Sequence, residues 1–314
     1  MNEQKPIYGG QAVVEGVMFG GKKHTVTAIR RKDGSIDYFR APKKTISSIQ
    51  RLKKIPFLRG IVAIIEASAN GTKHLNFSTD RYDVDPAQDH EIKPEEETSK
   101  LTMILGVAAV GVLSFLFGKI LFTLIPAFLA DFTQPLFPSV FATVLIESLI
   151  KLILLLSYIY VISLTPLIKR VFQYHGAEHM VINAYENNFD LTVENVQKQS
   201  RLHYRCGSSF ILFTVIVGFF VYLLVPADPL WFRLLNRLLL IPVVLGISFE
   251  VLQLTNKVRD IPGLRFLGYP GLWLQLLTTK APDDQQVEVA IASFNELLNV
   301  EKEEKTGVKE EEIV

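Results

Sequence analysis

Four long apolar runs, separated by polar stretches, set the pattern of this chain. They cover residues 101 to 122, 140 to 168, 207 to 225 and 238 to 255. Crossing a bilayer as a helix takes about 20 apolar residues. The pattern therefore predicts a membrane α-helical fold, a four-span helical bundle, within a membrane domain over 101–282. Three runs carry charges: Lys119 in the first, Glu147 and Lys151 in the second, Glu250 in the fourth. The remaining sequence is more polar. Residues 25 to 31 and 36 to 40 are β-prone and flank Lys32-Asp33-Gly34-Ser35, a hairpin signal. Before them, glycine pairs around an apolar run suggest turns or close backbone approach. Residues 56 to 76 are apolar but interrupted by Arg59, Glu66 and Lys73, which fits an interfacial helix. Residues 1–80 thus read as a small N-terminal β-rich cytoplasmic unit plus that helix, and 81–100 as an acidic linker. Residues 261 to 282 are a turn-rich lead into a short apolar helix. Near the end, Val287, Ala290, Ile291, Phe294, Leu297 and Leu298 make one helical stripe, predicting a C-terminal amphipathic helix over 283–300. The charged residues 301–314 read as a disordered tail.

Charge gives the predicted bundle a direction. The segment 123 to 139 has no Lys or Arg, whereas 169 to 209 has Lys169, Arg170, Lys198, Arg201 and Arg205. The positive-inside bias then places both termini and the loop 169–206 in the cytoplasm. The formal net charge of +1 points to no nucleic acid. The expected partner is the lipid bilayer. Residues 1 to 6 are polar, so no cleavable signal peptide is visible. Cys206 is the sole cysteine, which rules out an intramolecular disulfide.

The candidate chemistry lies in that loop. Tyr174-His175-Gly176-Ala177-Glu178-His179 puts two imidazoles one helical turn apart on one face. That spacing can hold one divalent metal, zinc above others, with Glu178 as general base. The order His-x-x-Glu-His is the inverted zincin pattern. His203 and Cys206, three residues apart before the third run, are further candidate ligands. Glu250 is another, because a carboxylate in an apolar helix is costly without a partner. Topology puts all of them in one leaflet. Glu147 and Lys151, spaced i, i+4, read as an internal ion pair. Glu15 lies among small residues and is a weaker site candidate.

These blocks together resemble the YqhQ-like family of bacterial membrane proteins. The resemblance rests on Gly9-Gly10-Gln11-Ala12-Val13-Val14-Glu15-Gly16-Val17-Met18, on Tyr174 to His179, on Arg205-Cys206-Gly207-Ser208-Ser209-Phe210, and on Pro270-Gly271-Leu272-Trp273-Leu274-Gln275 with Thr278-Thr279. It spans residues 8 to about 295. Phe19-Gly20-Gly21 departs from the Met-Arg-Gly expected after the first block. The resemblance implies a predicted metal-dependent enzyme in the bacterial inner (cytoplasmic) membrane.

The leading expectation is a metal-dependent hydrolase at the cytoplasmic membrane face, acting on a lipid or membrane-protein substrate. The alternative is a non-enzymatic scaffold that binds another membrane-protein complex, such as the translocation or insertion machinery, with the polar loop as a latch. Ion transport through Glu250 and Glu147 ranks last, since four spans are few for a carrier.

Overall fold

The computed structural model describes residues 8–43, 51–91, 117–118, 120–226 and 228–306. Four strands open the chain: β1 Gly9–Val13, β2 Gly16–Gly20, β3 His24–Arg30 and β4 Ile36–Pro42. They form one antiparallel meander in the order β1-β2-β3-β4. The Lys32 to Ser35 segment joins β3 to β4, with Gly34 at φ 87° and Asp33 accepting from the Ser35 amide and hydroxyl. Ten α-helices follow among the described residues: α1 Leu58–Arg81, α2 Ile125–Asp131, α3 Val140–Ser163, α4 Pro166–Glu186, α5 Val193–Gln197, α6 Ser209–Leu223, α7 Leu230–Leu239, α8 Ile241–Lys257, α9 Tyr269–Thr278 and α10 Asp284–Thr306. The predicted acidic linker holds a 3-10 turn, Pro86–Glu91, before the description breaks off at residue 92. Helix α10 runs to Thr306, into the stretch read as tail.

Two packed layers result. One face of the sheet buries Val17, Phe19, Val26 and Ala28 against α4 and α10. Helix α10 supplies Val287, Ala290, Ile291, Phe294 and Leu297, the stripe visible in the sequence. Tyr8, Tyr185 and Phe19 each stack edge-on against Phe294 within 5.1 Å. Ser293 donates to the carbonyls of Val17 and Val26, so α10 sits down on the sheet backbone. The second layer gathers α3, α6, α8 and α9 around Val144, Val217 and Val244 and around Ile159, Leu212 and Leu274.

The four-span bundle is not what forms. Among the described residues, α3 alone is a single helix long and apolar enough to cross a membrane. The second run stops at Ser163, because Pro166 restricts the residue before it and opens α4 instead. The third run is helical for only 15 residues. The fourth is split at Leu240, where α7 and α8 meet at 52° and Pro242 occupies the first turn of α8. The first run falls mostly outside the described residues; its end, Ile120–Leu124, is a π-helical turn.

The sheet's other face meets α1 through His74, fully buried between two threonines. Its Nδ1 lies 2.6 Å from Thr27 Oγ1 and its Nε2 3.0 Å from Thr25 Oγ1. A neutral ring donates to one hydroxyl and accepts from the other. Burial, with Lys73 adding to it, pushes this imidazole down to about 4. Between the unfolded value of 6.5 and about 4, the unfolded chain holds a proton that the folded chain rejects. Stability is therefore expected to fall on acidification through that window, by up to about 1.4 kcal/mol per pH unit from this residue. His74→Gln should flatten the pH dependence of melting between those limits. An unchanged profile would mean that His74 does not set this pH dependence.

Candidate metal centre

Helix α4 carries the site. Its seat on the sheet and α10 buries Tyr174, Ala177, Glu178 and His179, so the polar motif faces the interior. His175 and His179 fall one turn apart with ring centroids 4.4 Å from each other. The turn before α6 brings in Cys206, whose Sγ lies 3.2 Å from His175 Nε2. The three donor atoms all lie within 4.8 Å of one another. Three such points lie within about 2.8 Å of a common centre, against typical zinc distances of about 2.0–2.3 Å.

The far side of each imidazole is tied to backbone. His175 Nδ1 donates to the Thr278 carbonyl at 2.8 Å, and His179 Nδ1 to the Arg201 carbonyl at 2.6 Å. A proton fixed on Nδ1 leaves the Nε2 lone pair free, the arrangement that metal-binding histidines use. His179 Nε2 is buried and makes no hydrogen bond of good geometry, its polar neighbour being the Cys206 thiol. Leaving a buried polar atom unpaired costs about 1–3 kcal/mol. Burial lowers the pKa of His179, which keeps the ring neutral, as a ligand must be. The donor set fits a divalent metal with some thiolate preference, zinc foremost. Three protein ligands leave a position open, as in catalytic rather than structural zinc sites.

Glu178 sits on the flank of the same helix and turns toward β1. The Gly10 amide donates to it, and burial pushes its carboxyl up to about 7. A Cβ at Gly10 would stand 2.9 Å from the Glu178 carboxyl carbon and 2.7 Å from the Met18 carbonyl oxygen. The glycine pair in the first block thus lets β1 approach the carboxylate. Gly176 does the same for the segment after α9. A Cβ there would meet the Lys280 carbonyl oxygen at 2.2 Å, and the Lys280 amide bonds to the Phe172 carbonyl at 2.8 Å. That docking holds Thr278 against His175.

Two other candidates lie elsewhere. His203 is buried, but its Nε2 points to Glu186, 3.6 Å from Oε2, and its ring centroid is 5.8 Å from that of His179. Glu250 is on α8 and accepts from Arg59 Nε at 2.7 Å and from the Phe57 amide at 3.1 Å. Its partner comes from the start of α1, so it ties α8 to α1 and does not join the histidines. Glu147 pairs across the second layer with Arg237. Glu15, at φ 53° in the β1–β2 turn, takes Arg170 and accepts from the Tyr174 hydroxyl at 3.2 Å, pinning that turn onto α4.

Gln275 is the residue that sequence reasoning left without a role. Fully buried on α9, it accepts from the His203 amide and donates to the His203 carbonyl, both at 2.8 Å, and donates to Ser209 Oγ at 3.0 Å. It therefore sets the turn that presents Cys206. Its signals in the sequence were an amide in an otherwise apolar helix and its place in the Pro270 to Gln275 block.

The model of "Protein of unknown function (DUF1385)" matches residues 55–300. The chain belongs to the DUF1385 family. A similar relative is "Uncharacterized protein YqhQ" of Bacillus subtilis (strain 168), 72% identical over 297 residues, or 94% of this chain and 93% of the relative. No solved structure matches. In this DUF1385 chain the matched region contains every residue of the His175, His179 and Cys206 cluster and the Gln275 clamp, whereas Gly10 precedes it.

Proposed function

We propose that this protein is a metal-dependent hydrolase held at the cytoplasmic membrane, with His175, His179 and Cys206 as ligands to a divalent metal and Glu178 as general base. The observation that carries the reading is the convergence of one ligand atom each from His175, His179 and Cys206 within 4.8 Å of one another. When bound, such a metal supplies Lewis-acid polarisation of a carbonyl or phosphoryl oxygen. The chain's own residues do the rest. The Thr278 and Arg201 carbonyls orient the two rings. Glu178, with a pKa near neutrality, is suited to take up a proton and pass it on.

Membrane attachment is supported by α3. Only 17% of its most apolar window is buried within the protein, and Phe141, Leu149, Ile153 and Val161 are each about half exposed or more. A patch of that size in water would be an aggregation hazard, and lipid is the medium that suits it. Lys169 and Arg170 follow α3, while 123–139 lacks Lys and Arg, which supports a cytoplasmic position for the metal centre. The substrate would then be a lipid or a membrane protein.

Glu178→Gln is the test of enzymatic action. The amide keeps the shape but cannot serve as base, and general acid–base groups contribute about 10²–10⁴-fold. Membranes from cells expressing the wild-type chain should accumulate a hydrolysis product by mass spectrometry. Glu178→Gln and chelator treatment should each abolish it, with metal content retained in the variant. Identical lipid and peptide profiles for wild type and variant would favour the scaffold reading instead.

A further inference from the structure

A polar cavity of about 320 Å³ opens at His203, whose ring centroid is 5.8 Å from that of His179; none of His175, His179 and Cys206 lines it. His203, Glu186, Ser200 and Arg259 are among its walls. It continues, sharing Arg259 and Asp260, into a second hollow that ends at Arg265. One carboxylate, Glu186, faces three donors: it is ion-paired with Arg205, 3.6 Å from His203 Nε2 and 3.7 Å from an Arg259 nitrogen. The pairing is uneven. His203 Nε2 and Arg205 Nε are buried without hydrogen bonds. Arg259 is held only loosely, its other contact being Asp260 at 3.4 Å, and Asp260 is 88% exposed. Arginine's planar fork suits a phosphate, and here it is not committed to a carboxylate in a two-pronged pair. Ile261 lines the second hollow, and the same short segment exposes Leu264, Phe266 and Leu267, next to Arg265 in sequence.

We propose that this groove binds the phosphate of an anionic phospholipid headgroup, gripped by Arg259 and Arg265, with that exposed apolar segment against its acyl chains. The inference rests on the hydrolase reading for its purpose, since it would hold a lipid against His203, the neighbour of His179. Its geometry stands without a metal. Glu186 keeps Arg205, and the incoming phosphate takes Arg259 in place of its long contacts.

The full chain, purified in detergent, can be titrated with short-chain phosphatidic acid, short-chain phosphatidylcholine and inorganic phosphate, with retention read by native mass spectrometry. Phosphatidic acid should bind at one site, and Arg259→Gln combined with Arg265→Gln should weaken it at least tenfold at unchanged melting temperature. Arg259→Lys should recover part of the loss. Equal retention of the zwitterionic lipid, or no effect of the double variant, would overturn the proposal. Inorganic phosphate binding as tightly as the lipid would overturn the lipid assignment. Zinc content measured on the same samples separates the two readings. Cys206→Ser should lose metal and still retain the lipid, whereas a metal-free wild type that binds the lipid counts against the metal centre alone.

Discussion

His179→Ala is expected to strip the purified protein of its divalent metal, from near one ion per chain to less than a tenth of that. His179 supplies a neutral ring oriented by the Arg201 carbonyl, with a buried Nε2 facing the Cys206 thiol. Without it only His175 and Cys206 remain, and two ligands do not make a stable zinc site. Cys206→Ser should lose metal as well, because a hydroxyl is a far poorer ligand than a thiolate. Gln275→Ala is the subtler case. It frees the His203 turn that presents Cys206, and loss of such supporting contacts typically weakens metal binding about 10–100-fold. Metal content by plasma mass spectrometry, with chelator competition for the Gln275 variant, reads all three. Metal retained by His179→Ala at wild-type level would place the ion elsewhere.

Glu147→Ala should be the most destabilising single change in the second layer. Arg237 donates to both Glu147 oxygens, at 2.8 and 2.9 Å, and its guanidinium lies 4.0 Å from the Tyr222 ring centroid. Arg237 is fully buried and Glu147 is 4% exposed. Removing one partner leaves an uncompensated buried charge, at a cost of about 3–5 kcal/mol. Replacing both residues by leucine should recover most of that loss, because the pair also pays desolvation. Unfolding in detergent micelles measures it. A single-variant effect below about 1 kcal/mol would mean that water or lipid headgroups reach the arginine.

Parts of this architecture were legible because they depend on local periodicity. The α10 stripe from Val287 to Leu298 and the hairpin around Asp33-Gly34 are patterns that span a few residues. So is the one-turn spacing of His175 and His179. The membrane bundle failed because hydropathy counts apolar residues without counting what breaks them. Pro166 and Pro242 interrupt two of the four runs. Strands β1 and β2 were hidden by their glycines, which lower strand propensity; of these, Gly10 is needed where the sheet meets Glu178. Glu250 was misplaced because its partner Arg59 is 191 residues away in sequence. The Thr278 and Arg201 carbonyls, which orient the imidazoles, are backbone atoms with no residue signature at all.

X-ray absorption at the zinc edge of the purified full-length protein tests the metal centre most directly. One sulfur at about 2.3 Å and two imidazole nitrogens at about 2.0–2.1 Å are expected, with the sulfur shell gone in Cys206→Ser. A purified protein that carries no metal after expression in zinc-replete cells, or a bound ion with no sulfur neighbour, would contradict it.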